Sequence, residues 1–97
     1  MASMEATWDL RKERANIAKH GVDFADAAVA LEDEYALSAA IFENDEERFK
    51  TLAASPISGV LLIVHTENDG ETIRIISARK ADRAERLRYY KGLALDD

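Results

Sequence analysis

The run Val60-Leu-Leu-Ile-Val64 constrains the fold more than any other feature of this chain. Turn chemistry brackets it, with Pro56 to Gly59 before and Asn68-Asp69-Gly70 after, so it reads as a strand. It is apolar without alternation, which predicts a central strand covered on both faces. It is also far shorter than the roughly 20 apolar residues that a membrane span requires. Some element must therefore pack on each side of the sheet.

The flanking sequence supplies both. Asp9 is suited to cap a helix over Leu10–His20, with Gly21 placed to end it in a left-handed conformation. Asp23 is suited to cap a second helix, in which Phe24, Ala27, Ala28 and Leu31 follow the spacing of one buried face. After the acidic run Glu32-Asp33-Glu34 the period changes. Tyr35–Phe42, Glu47–Ala53, Val60–Thr66 and Thr72–Ala78 read as short strands, the first two joined through Asn44-Asp45. Their spacing predicts an antiparallel meander of about four strands. A closing helix over about Ala81–Leu93 would pack through Ala81, Ala84 and Leu87 and carry Arg83, Arg86 and Tyr90 as a separate stripe. The fold class is α+β: N-terminal helices, an antiparallel sheet and a C-terminal helix, in one domain spanning residues 1–97.

Charge is strongly polarised along the chain. From Arg74 to Lys91 there are seven Lys/Arg against two acids, whereas residues 1–73 carry six bases and fifteen acids. The formal net charge of −6 hides this basic segment, which is suited to an anionic partner. With no cysteine and only His20 and His65, the usual zinc patterns are absent, so neither a metal nor another cofactor is expected. Met1–Ala6 lacks a basic-then-apolar signal pattern, and a cytoplasmic protein without membrane association is expected.

Several blocks together are more specific than charge. Trp8-Asp9, Asn16-Ile-Ala-Lys-His-Gly-Val-Asp-Phe-Ala-Asp-Ala28, Glu47-Arg48, Leu61–Thr66 and Ile73-Arg-Ile-Ile-Ser-Ala-Arg-Lys-Ala81, followed by Glu85-Arg86 and Tyr89, closely resemble the BrnT family in order and spacing. The resemblance implies a RelE/ParE-like toxin fold and a ribonuclease that shuts down translation. It also implies neutralisation by a small DNA-binding antitoxin, BrnA, encoded nearby. Whether the chain forms a homo-oligomer or a toxin–antitoxin heterotetramer is left open. One segment departs from the family pattern. Where members usually have a strand ending in Gly followed by a basic or polar residue, this chain has Leu52-Ala53-Ala54-Ser55-Pro56.

Metal-free RNA cleavage needs a base for the 2′-hydroxyl proton, an acid for the leaving 5′-oxygen and cations around the phosphorane. Arg48, Arg74 and Arg79, on or beside three strands, would converge on one open sheet face; ion pairs to Glu46, Glu47, Glu67 or Glu71 are the structural alternative. His65 is the nearest side chain titrating near neutrality, although a lone histidine ending an apolar strand is often simply packed. Glu47 is a second candidate base, and Lys80 and Tyr89 are candidates for acid or phosphate ligand. Arg83, Arg86 and Tyr90 would lie along RNA, or face an antitoxin, or pack with Asp82 paired to Arg86. Lys19 and His20 join the candidates through the family's Lys-His-Gly block, with helix capping as the plainer role for His20. Three functions remain open at this level: a ribonuclease toxin, a non-catalytic BrnT-like module that associates with an antitoxin or repressor, and an α+β domain with an unrelated ligand.

Overall fold

The computed structural model describes residues 5–68 and 70–95. Asp69, expected in a turn, the residues before Glu5 and the acidic pair Asp96-Asp97 lie outside them. In chain order the elements are β1 (Glu5–Trp8), α1 (Leu10–His20), α2 (Phe24–Ala30), β2 (Leu37–Glu43), β3 (Glu46–Ser55), β4 (Gly59–Asn68), β5 (Thr72–Lys80) and α3 (Arg83–Leu95). The five strands form one mixed sheet in the order β1-β5-β4-β3-β2, so the architecture is α+β with three helices. Among the described residues no helix is long and apolar enough to cross a membrane.

The helix boundaries follow from local chemistry. Asp9 accepts from the amides of Arg11 and Lys12 at 2.8 and 3.1 Å, and Gly21 closes α1 at φ +72°, a conformation glycine adopts without a Cβ clash. Asp23 accepts from Asp26 N at 2.7 Å to start α2, while Glu13 of α1 accepts from Phe24 N at 2.9 Å. The two helices thus share a tied corner. The β2–β3 hairpin turns on Asn44 and Asp45, both at positive φ, as a two-residue type I′ loop demands.

β4 is the third of five strands, and it is covered on both sides. Leu61 and Ile63 lie in a cluster with Phe24, Ala27, Ala53 and Ile75 beneath α2, whereas Val60 lies with Leu52, Ala81 and Tyr89 beneath α3, and Leu62 packs against them. Alternation along β3, β4 and β5 therefore defines two faces: one under α1 and α2, and one that α3 covers at a single end.

The sheet differs from expectation in having a fifth strand and one parallel pairing. β1 runs parallel to β5, with Ala6 opposite Ile73 and Trp8 opposite Ile75. Four residues with no preceding turn carry too little period to be read as a strand; pairing with β5 makes them one. Trp8 then meets Phe24 edge-on, ring centroids 6.3 Å apart.

β1 stops at Trp8, so the end of β5 beyond Ile75 has no strand on that side. Asn16 of α1 substitutes for one. Its carbonyl accepts from Ala78 N at 3.1 Å, and its amide donates to Ala78 O at 2.7 Å and Val22 O at 2.9 Å. The residue is only 7% exposed and every bond it needs is made.

α3 is rotated relative to expectation. Ala81 is buried but precedes the helix, while Ala84 and Leu87 face solvent; Tyr89 and Leu93 make the contacts. Two constraints fix this rotation. Asp82 and Glu85 form a reciprocal capping box, Glu85 N to Asp82 and Asp82 N to Glu85, both at 2.8 Å. Asp33 accepts from the Tyr89 hydroxyl and from the amides of Ala54 and Tyr35. Burial pushes the Asp33 carboxyl up, but these donors outweigh it and hold the group below its usual value. Burial, then the hydrogen bond to Asp33, raises the Tyr89 phenol, so it stays a donor.

Candidate active site

The face left open by α3 carries three rows of side chains across the strands. Leu37, Leu52, Leu62 and Arg79 form the first, Ala39, Lys50, Val64 and Ser77 the second, and Ile41 and Arg48 lead to Thr66 and Arg74 in the third. Alternation puts Arg48, Arg74 and Arg79 on one face as expected, but they do not converge: Arg48 and Arg74 stand together in the third row, and Arg79 stands apart in the first. Between α3 and the first two rows lies a groove of about 350 Å³ lined by Lys50, Arg79, Glu85 and Arg88 above Leu37, Leu52 and Leu62.

The arginines are held in place by carboxylates. Arg79 makes a two-point pair with Glu85, at 2.8 and 3.0 Å. That hydrogen-bonded pair is the main reason the Arg79 guanidinium is held above its ordinary value and Glu85 below its own. Glu85 thereby joins the start of α3 to the end of β5. Glu46 accepts from Arg48 Nε at 3.2 Å and from Arg74 Nη2 at 3.1 and 3.2 Å. Lys50 also points into this space from β3.

Other candidates fall elsewhere. His65 shares the alternation of Leu61 and Ile63, so it stands on the helix-covered face at 2% exposure, not with the arginines. It stacks on Phe49 at a 5.7 Å centroid separation and shares a 2.7 Å hydrogen bond with Thr51, which in turn bonds Ser38 at 2.7 Å. Its Nδ1 has no hydrogen-bond partner and lies 3.9 Å from Glu67. Glu47, one residue from Arg48, alternates away from the open face, and Lys80 alternates away from Arg79 in the same manner. Tyr89, expected to meet RNA, is a buried anchor of α3. Tyr90 is 52% exposed and packs edge-on against Tyr89. Arg83 is exposed, and Arg86 donates to Ala81 O at 2.8 Å and does not pair with Asp82, which the capping box occupies. Lys19 and His20 sit in the last turn of α1, in the helix layer.

Burial, partly opposed by Glu67 and a bond involving the Thr66 backbone, lowers the His65 pKa below 6.5. The unfolded chain then binds a proton that the folded chain refuses, so stability falls as pH drops below about 6.5. Asp33 and Glu85, both lowered, lose their contributions only further down, below the ordinary carboxylate range. Denaturant midpoints measured from pH 7.5 to 5 should therefore decline for the wild type and flatten for His65→Gln. A decline of equal size in both would remove His65 as its source.

Lys50, Glu85 and Arg88 were not among the candidates read from sequence. Lys50 was detectable, being two residues from Arg48 and hence on the same strand face. Glu85 and Arg88 needed the true rotation of α3, whose inward stripe is Glu85, Arg88, Tyr89, Gly92 and Leu93.

The departure at Ala53-Ala54 is absorbed by the fold. Ala53 is fully buried against α2, and among the described residues only Asn44 and Asp45 are non-glycine positions at positive φ, so the backbone here does not require glycine. Ala54 lies under α3 with its amide bound by Asp33 at 2.9 Å.

A family model described as the ribonuclease toxin BrnT of type II toxin–antitoxin systems matches residues 8–85. No curated protein sequence matches the chain. The fold is similar to the 1.1 Å crystal structure of the Brucella abortus ribonuclease toxin BrnT, with a TM-score of 0.60 and 26% identity over 82% of this chain and 99% of that one. The matched span runs from the end of β1 into α3 and includes Arg48, Arg74, Arg79 and Glu85. On this match the chain belongs to the BrnT family of ribonuclease toxins of type II toxin–antitoxin systems.

Proposed function

We propose that this chain, acting as one domain over residues 1–97, is a cytoplasmic endoribonuclease that cleaves RNA without a metal and thereby inhibits translation. A BrnA-like antitoxin encoded nearby would neutralise it. The observation that carries this reading is the placement of Lys50, Arg79 and Arg88 around one groove on an otherwise acidic protein. Cations fixed in advance stabilise the charge that develops on a phosphorane, and the planar fork of Arg79 matches two phosphate oxygens. When phosphate takes that fork, Glu85 is released beside the reacting group, within the groove, as the carboxylate to accept the 2′-hydroxyl proton. His65 has no part in this scheme because it lies across the sheet.

One observation favours the non-catalytic module. Arg48, Arg74 and Arg79 are all already paired with carboxylates, so RNA must displace Glu46 or Glu85 to use them. Growth separates the readings: inducing the chain alone should arrest cells, and co-inducing the antitoxin should release them. In parallel, the purified chain in chelator should leave 2′,3′-cyclic phosphate ends on RNA. Normal growth and intact RNA at matched soluble levels would leave the binding module as the function.

A further inference from the structure

We propose that the free edge of β2 pairs with the same edge of a second copy of this chain, antiparallel and centred on Ala40, so that two sheets join into one.

The sheet ends at β1 on one side and at β2 on the other. β1 offers only four residues, whereas β2 offers seven in unbroken register with β3. Because the hairpin turns on two residues, Glu43 and Glu46 form the hydrogen-bonded pair that closes it, and Ile41, Ala39 and Leu37 follow as the residues bonded to β3. Ser38, Ala40 and Phe42 therefore aim their N–H and C=O groups outward. Among the described residues no backbone group pairs with these, and Leu37–Glu43 carries no proline, lysine or bulge of the kind that usually blunts an edge. All three residues are exposed, Phe42 at 72%.

The edge is complementary to itself. Pairing about Ala40 sets Ser38 opposite the partner's Phe42, Phe42 opposite the partner's Ser38 and Ala40 opposite its own copy, so every outward residue meets another within β2. A register centred one residue to either side would oppose Ser38 to Asn44 in the turn, or Phe42 to Ala36 before the strand. Size also matches: a large ring lies beside a small side chain on one face, and Ile41 lies beside Ala39 on the other. Glu43, the one charged residue of β2, faces Leu37, and the two copies of it end roughly 20 Å apart, six residues along the seam. No like charges meet there.

Antiparallel strands are related by a two-fold axis perpendicular to the sheet, so the two open faces lie on the same side. The row Ser77, Val64, Lys50 and Ala39 of one copy then continues into Ile41, Arg48, Thr66 and Arg74 of the other. Cations of both copies come into one line across the seam.

A seam of one strand pair is small, so a dissociation constant on the order of 10–100 µM is expected. Sedimentation equilibrium on the full chain between about 5 and 500 µM should show the mass rise from 10.8 kDa towards twice that value. Ala40→Lys, which opposes two ammonium groups at the centre of the seam, should stay at 10.8 kDa throughout with an unchanged melting temperature. The chain has no cysteine, so a single introduced thiol reports the register directly. Two copies of Ala40→Cys stand about 5.5 Å apart between Cα atoms, within disulfide reach, whereas two copies of Ala39→Cys stand about 8 Å apart, beyond it. Mild oxidation should trap the first as a dimer and leave the second monomeric. A wild type that remains at 10.8 kDa at every concentration overturns the proposal and leaves this edge without a second copy. So does a dimer that persists in a folded Ala40→Lys chain, or one trapped through Ala39→Cys and not through Ala40→Cys. None of these readouts involves RNA, so the pairing stands or falls apart from the ribonuclease reading.

Discussion

Replacing Arg79 by alanine should lower RNA cleavage by about 10²–10³-fold, which is the usual cost of removing one preorganised charge from a transition state. Arg79→Lys should recover little, because an ammonium is a point charge and cannot contact two phosphate oxygens in a fixed plane. Arg79 is about 38% exposed in its side chain, and its pair with Glu85 bridges β5 to α3, so some stability will also be lost. A fluorescence or circular-dichroism melt at the assay temperature therefore accompanies the rates. Glu85→Gln is the companion variant, since glutamine still serves in a capping box and only the charge is removed. With Glu85 as proton acceptor, that variant should bind RNA at least as tightly as the wild type while cleaving it about 10²-fold more slowly. Unchanged cleavage by a folded Arg79→Ala chain would exclude Arg79 from the mechanism, and unchanged cleavage by Glu85→Gln would reduce Glu85 to a tether.

The largest loss of stability is expected at Asn16. Its alanine variant leaves Ala78 N–H, Ala78 C=O and Val22 C=O without their partner. Each such buried group costs about 1–3 kcal/mol. Allowing for partial access of water, a total of about 3–5 kcal/mol is expected, against the 5–15 kcal/mol that holds most domains together. Asn16→Asp keeps one acceptor but sets a carboxylate against two carbonyl oxygens, so near neutral pH it should recover none of the loss. Equilibrium unfolding in urea measures both variants. A change below about 1 kcal/mol for Asn16→Ala would show that water satisfies the end of β5 as well as the side chain does.

How far the sequence revealed this molecule depends on how local each signal was. Both N-terminal helices were legible because Asp9, Gly21 and Asp23 act within a few residues of themselves. Val60–Val64 was legible as a central strand because lack of alternation reports two covered faces. β1 was not, since Glu5–Trp8 is made a strand by a partner distant in the chain. The rotation of α3 was set by Asp33 meeting Tyr89, a pair 56 positions apart that no helical period encodes. Arg48, Arg74 and Arg79 were legible as sharing the open face because strand alternation alone fixes it, whereas their separation into different rows depended on a register that the sequence does not state. His65 and Glu47, named only as candidate bases near the sheet, are each one step out of phase with the arginine face and so lie across the sheet from it. Arg88 depended on the helix rotation and so was out of reach.

The parallel pairing of β1 with β5 also orders events in time. Partners such as Glu5 and Thr72 stand 67 positions apart, so the first strand made must wait for the last before its ladder can form. Contacts of such span slow folding, because the intervening loop loses its freedom before any contact rewards the closure. Arg79 and Glu85 leave the ribosome in the same late stretch, after nearly everything they pack upon. A nascent chain thus has no strand to complete its sheet and no assembled cationic groove until β5 and the start of α3 have both been made.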